Sequence, residues 1–178
     1  MAFVWWSSLT AAGQGLLGML DSAEQARLES LDRPADRGRS MVGAALLRAA
    51  VASHSGIAPA DVVVDRTCEE CGAPHGAPRI VNPGRAAPWV SVSHSGLLIV
   101  VALSGRGPVG VDVQRVADLE DPAAAPEWVR REVLFKARSG SPHWDGSARE
   151  LEAPLPGYLA ALALPAGDGQ DLVIRNWP

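Results

Sequence analysis

The apolar positions of this chain fall into two rhythms, one of strands and one of helices. Residues 2–6, AFVWW, form a short apolar run that reads as a first strand. A helix is expected to open at Asp21: DSAE has the spacing of a capping box, and Leu28 and Leu31 supply an apolar side. The clearest helical pattern is DRGRSMVGAALLRAAVASH, residues 36–54, where Val42, Leu46 and Ala49 recur at helical spacing. PADVVVDR (59–66) reads as a loop and a short strand. CEECGAPHGAPRIVNPGRAAP (68–88) is dense in Gly and Pro and predicts a loop without regular structure. GLLIVVALS (96–104) and VGVDV (109–113) are strand-like runs joined by the turn-forming GRGP, and predict a half-buried hairpin. APEWVRREVLFKARSG (125–140) is the last helix, opened by Pro126 and closed by Ser-Gly.

The tail repeats part of this pattern. Displaced by 61 residues, Gly96 to Val113 lies over Gly157 to Ile174, with Ala102-Leu103 over Ala163-Leu164. One repeat is too few for a solenoid. It suggests two related lobes, each offering a hairpin. In this register Asp112 meets Val173 and His94 meets Leu155, so the polar groups exist in the first copy only. A duplicated scaffold with one chemically equipped copy points to a site between lobes.

Bulk properties narrow the class. The 178 residues, 47% hydrophobic and 20% charged, suit one domain or two small lobes sharing a core. A net charge of -4 gives no general reason to bind nucleic acid or an anionic membrane. No apolar run approaches the roughly 20 residues of a membrane span, and MAFVWWSSLTAAG lacks the basic start of a signal peptide. Two cysteines are too few for a disulfide framework. The expectation is a soluble, cytoplasmic protein.

Several motifs compete. GRGPVG (105–110) matches the dinucleotide fingerprint, but the residues after it are strand-like rather than helical, so it reads as a turn. Cys68, Cys71 and His75 resemble half a zinc site, which His54 or His94 would have to complete; otherwise this is a loop with reduced thiols. Ser93, His94 and Ser95 are neighbours on a strand, so they alternate between faces and make no Ser-His pair. Alternation puts Gly110, Asp112 and Gln114 on one face and the valines on the other, an exposed edge if taken alone. Glu132 and Lys136 lie four apart on the last helix, a spacing that also suits a surface ion pair. Taken together, Asp112 and Glu132 are two carboxylates able to hold a hard divalent cation such as Mg2+. Arg33, Arg37, Arg39 and Arg48 cluster at and near the start of the long helix, where exposed amides also favour anions. A cation site, an arginine cluster and Lys136 read as phosphoryl-group chemistry on a polyphosphate substrate.

RPADRGRSMVGAALLR, CEECGAPHGAP, SVSHSG, VGVDVQ, WVRREVLFKA and PGYLAALAL, in this order, resemble the Sfp-type 4'-phosphopantetheinyl transferases. The resemblance implies an α+β fold of two similar lobes in pseudo-twofold arrangement. Residues 1–114 would form an N-terminal lobe with the coenzyme-binding helix, loop and hairpin, and 115–178 a C-terminal lobe with the Glu/Lys helix and second hairpin. It implies a Mg2+-dependent enzyme that moves the phosphopantetheine arm of coenzyme A to a serine of an apo acyl or peptidyl carrier protein. The carrier would belong to polyketide, nonribosomal-peptide or fatty-acid synthesis, and the enzyme would work as a monomer. By matching position, Asp112, Glu132 and Gln114 would hold the metal, with Glu132, Lys136 and His94 in catalytic roles. Arg33, Arg39, Gly76, Pro78, Ser93, His94 and Lys136 would bind the coenzyme.

Three departures from the family pattern stand out. Gln114 replaces a common Glu, and Ala77 replaces a basic residue that Arg79 or Arg85 would have to supply. Only 20 positions separate Asp112 from Glu132, so residues 115–131 form a shortened segment. The alternatives are a homologue that binds coenzyme A or a partner with impaired transfer, and a small zinc-binding interaction module.

Overall fold

Two sheets, each backed by one long helix, divide the apolar runs between them. The computed structural model describes residues 1–82, 87–141, 143–169 and 171–178; Arg85 lies outside them. The strands are β1 (Ala2–Ser8), β2 (Val64–Asp65), β3 (Arg79–Ile80), β4 (Trp89–Ser95), β5 (Leu98–Ser104), β6 (Gly110–Arg115), β7 (Ser147–Leu151), β8 (Tyr158–Leu164) and β9 (Leu172–Asn176). The helices are α1 (Ser22–Glu29), α2 (Pro34–Ser55) and α3 (Ala125–Ser139). The fold is α+β. One sheet runs β4-β5-β1-β9, a second runs β6-β8-β7, and β2 pairs with β3.

Local chemistry sets the helix limits as expected. Asp21 caps α1 through a complete capping box with Glu24. Pro34 opens α2, and Gly56 closes it in the left-handed conformation, which costs glycine little. Among its described residues, the Gly/Pro-rich stretch is irregular apart from β3, which pairs with β2, and no helix starts in it.

The core explains why β5 reads as an unbroken apolar run. Leu98, Val100 and Ala102 face the second sheet, where they meet Val111 and Val113 of β6 and Leu162 of β8. Ile99, Val101 and Leu103 face the other way, against Val42, Leu46 and Val51 of α2. Both faces are covered, so neither carries polar residues. On the far side of the second sheet, Ala161 and Ala163 pack against Val129, Val133 and Ala137 of α3. The layers therefore run α2, first sheet, second sheet, α3.

The predicted hairpin of β5 and β6 does not form. β5 pairs with β4 and β1, while β6 crosses to the second sheet and pairs antiparallel with β8. The repeat is nonetheless visible. A shift of 61 residues carries β5 onto β8 and β6 onto β9, and Gly96 and Gly157 both take positive φ, 53° and 80°. β9 makes the reverse crossing and lies parallel to β1. Each copy thus sends its second strand to the sheet of the other.

Candidate functional site

β4 and β6 are edge strands of different sheets that run side by side, with serines stitched between them. Alternation puts Ser91, Ser93 and Ser95 on one face of β4. Their hydroxyls accept from the main-chain amides of Val111 (3.0 Å), Val113 (3.3 Å) and Arg115 (2.9 Å). The unpaired edge amides of β6 are thereby satisfied. Ser93 also donates to Asp112 Oδ1 at 2.7 Å.

α3 completes this centre because Gly110 lets it come close. A Cβ at Gly110 would lie 2.0 Å from the carbonyl oxygen of Val133. With that approach, Lys136 Nζ reaches Asp112 Oδ1 at 2.7 Å and the Val111 carbonyl at 3.0 Å. Asp112 is 6% exposed, so it is not the open edge that alternation alone allows. Gly110 serves close packing, not the turn that GRGPVG suggested. Lys136 pairs with Asp112 rather than with Glu132. The carboxylate of Glu132, half-buried one turn earlier on α3, has no hydrogen bond or ion pair with any described residue.

A cleft of about 420 Å³ lies beside this centre and gathers Gly76, Pro78, Ser93, His94 and Lys136. A larger cavity of about 930 Å³, between α3 and residues 148–161, holds none of the expected residues. Gly76 has a tighter reason to be glycine than ligand approach. A Cβ there would sit 2.9 Å from the Thr67 carbonyl, and its amide donates to the Arg66 carbonyl at 2.7 Å. The cleft also contains Arg27 and Arg66, which the sequence reading missed. Arg27 donates to the Pro74 carbonyl at 3.2 Å. Arg66 has no ion pair among the described residues, and burial, then the charge of Arg27, pull its pKa down. The one available signal was its place directly after the VVVD strand run. His94 has its ring partly open to solvent, yet crowding by protein atoms, then the charges of Arg39 and Lys136, push its pKa below the ordinary value.

The remaining arginines separate. Arg39 is pinned by the Gly96 carbonyl (3.0 Å) and by Asp36 (2.5 Å), whose carboxyl it holds below the usual range. Arg33 is the exposed N-cap residue of α2. Arg48 leaves the expected anion-binding cluster altogether. It is 1% exposed and holds Glu24 and Asp21, each at 2.8 Å, and the Val62 carbonyl at 2.6 Å. Gln114 turns its amide nitrogen to the Arg115 carbonyl at 2.9 Å.

The donor chemistry suits Mg2+. Asp112 Oδ1 is taken by Ser93 and Lys136, but Oδ2 accepts from no described residue. That oxygen, the Glu132 carboxylate and the Gln114 amide oxygen are all hard donors.

The structure also brings Cys68, Cys71 and His75 together; among the described residues neither His54, which packs on the Phe3 ring, nor His94 joins that cluster. Backbone amides of Cys71 and Glu70 hold the Cys68 thiol below its ordinary pKa.

The fold thus sets a nearly buried Asp112, paired with a partly exposed Lys136, beside a cleft lined by Arg27 and Arg66. No protein-family model matches the chain. Over 100 residues it is 33% identical to a protein of Synechocystis sp. named "Putative 4'-phosphopantetheinyl transferase". The match covers 56% of this chain and 38% of that relative, so the chain spans well under half of its length. No helix among the described residues is long and apolar enough to cross a membrane.

Proposed function

We propose that the protein transfers the 4'-phosphopantetheine arm of coenzyme A to a serine hydroxyl of an apo acyl or peptidyl carrier protein. The serine oxygen forms a bond to the phosphorus that carries the pantetheine arm. The bond to the bridging pyrophosphate oxygen breaks, and adenosine 3',5'-bisphosphate leaves. The two sheets are read as the cores of two similar lobes in one monomer, contributed by residues 1–114 and 115–178, each lending one strand to the other.

The observation that carries this reading is the chain Ser93–Asp112–Lys136 at the wall of a cleft that holds Arg66, which has no ion pair among the described residues. A polyphosphate needs fixed cations, and Arg66, Arg27 and Lys136 supply them there. Arg39, whose charge acts on His94, serves the coenzyme's 3'-phosphate, with Arg33 beside it. Ser93 is committed to Asp112 and the Val113 amide, so it acts by orienting Asp112. Glu132, without an ion pair among the described residues, takes the proton of the attacking serine. Lys136 neutralises charge on the leaving phosphate. Asp112, Glu132 and Gln114 would hold Mg2+, which when bound offsets pyrophosphate charge.

Intact-mass spectrometry tests the reading. The protein is mixed with an apo carrier protein, coenzyme A and Mg2+. A phosphopantetheine-sized gain on the carrier, lost in EDTA and restored by added Mg2+, is expected. No gain across several carriers, with coenzyme A still bound, would instead identify a binding homologue impaired by the short segment 115–131.

A further inference from the structure

The loop that supplies Gly76 and Pro78 to the cleft carries chemistry that transfer does not use. Cys68 and Cys71 flank a tight turn in which the Gly72 amide donates to the Cys68 carbonyl at 2.9 Å. Gly72 has φ 74°, a conformation that favours glycine. The Cys68 amide in turn donates to the Ala73 carbonyl at 2.8 Å, and the His75 amide to the same carbonyl at 2.9 Å. These bonds fold the loop back so that His75 approaches the thiols. Cys71 Sγ and His75 Nε2 are 3.0 Å apart, and the ligand atoms of Cys68, Cys71 and His75 all lie within 4.8 Å of one another.

We propose that Cys68, Cys71 and His75 bind a Zn2+ ion that clamps this loop against the cleft. Two thiolates and an imidazole are the donors that a borderline-soft divalent ion prefers. Tetrahedral Zn2+, with bonds of about 2.0–2.3 Å, places its ligand atoms roughly 3.5–3.8 Å apart. The set is near that spacing already, and the Cys71–His75 pair needs to open only slightly. Binding releases two thiol protons to solvent and leaves the fourth position to water. Cys71 and His75 are exposed and Cys68 is half-buried, so an ion reaches them without unfolding the core.

Without the ion, the outer turn is held by its own main-chain bonds and by Arg27 on the Pro74 carbonyl. Exposed Arg79 ties its far end to half-buried Asp65 (2.7 Å) and exposed Glu69 (2.9 Å). Such surface pairs contribute on the order of 1 kcal/mol or less. His75 and Gly76 both line the cleft, and the Gly76 amide bonds to the Arg66 carbonyl. An ion on His75 therefore fixes the wall in which Arg66 stands. This site is separate from the hard-donor set at Asp112, and it stands or falls independently of the transferase reading.

The test is metal content. The reduced full-length protein is stripped with chelator, incubated with Zn2+, desalted and measured by inductively coupled plasma mass spectrometry. About one zinc per chain is expected, with a sulfur-to-metal charge-transfer band when Co2+ replaces it. Cys68→Ser, Cys71→Ser and His75→Ala should each lower the bound metal at least tenfold. Circular dichroism should show the same helix content, since the ligands lie outside the core. As a second readout on the unaltered chain, Zn2+ should slow proteolysis within residues 66–80. Zinc content unchanged in the Cys68→Ser/Cys71→Ser protein, no zinc in the reduced wild type, or a Cys68–Cys71 disulfide that forms equally fast with zinc present would overturn the proposal.

Discussion

Lys136 Nζ sits 2.7 Å from Asp112 Oδ1, across the boundary between α3 and β6. The carboxylate is nearly buried and the ammonium is about a quarter exposed. Loss of one partner leaves the other charge in a poorly solvated place. Asp112→Ala should therefore abolish transfer and also destabilise the fold, by about 1–3 kcal/mol. Asp112→Asn keeps an acceptor for Ser93 and should recover part of the stability without recovering transfer. Urea denaturation beside the carrier mass assay separates the two effects. An Asp112→Asn protein with full transfer would remove Asp112 from the chemistry.

Gly110 is where α3 rests on β6. Gly110→Ala should push the helix away from Asp112, because the new methyl meets the Val133 carbonyl. The expected cost is about 3 kcal/mol, the upper end for overpacking. Transfer should fall with it, since Lys136 moves with the helix. Thermal unfolding of Gly110→Ala checks this, and an unchanged midpoint would contradict the close contact.

Arg66 faces the cleft with no carboxylate partner among the described residues. A charged hydrogen bond to phosphate contributes about 1.5–3 kcal/mol. Arg66→Gln should raise the KM for coenzyme A at least tenfold and leave kcat within a few-fold. Steady-state kinetics with coenzyme A varied decide it. A lowered kcat at unchanged KM would place Arg66 outside coenzyme binding.

His94 titrates below its ordinary value of 6.5, through desolvation first and then Arg39 and Lys136. The folded state thus binds the proton less readily than the unfolded chain. Stability is full above 6.5 and declines as the pH falls through the depressed folded value. His94→Gln should flatten this decline, seen as urea midpoints that differ less between acidic and neutral pH. An identical decline in both proteins would show that other groups cause it.

Much of the local architecture was legible in the chain. The capping box at Asp21, the helical spacing of Val42 and Leu46 in α2, and the apolar run of β5 depend on interactions within a few residues, so sequence spacing reports them. The 61-residue repeat also survives as β5 over β8 and β6 over β9. Asp112 stood out as a carboxylate between valines and Lys136 by its spacing from Glu132, while Ser93 and His94 gained roles only through the family resemblance.

What only the tertiary structure decided was pairing over distance. GRGP suggested a hairpin, but β6 finds its partner in β8, and no local signal distinguishes a tight turn from a crossing between sheets. Arg48 shared a helix with Arg39 and read as part of one cationic patch. Burial against Glu24 and Asp21 makes it a structural ion pair instead, because a charge removed from water must be matched there. Ser91, Ser93 and Ser95 could be read from their alternation as one face of a strand. That their hydroxyls close the edge of β6, and that Lys136 then meets Asp112, follows from the packing of four layers in space.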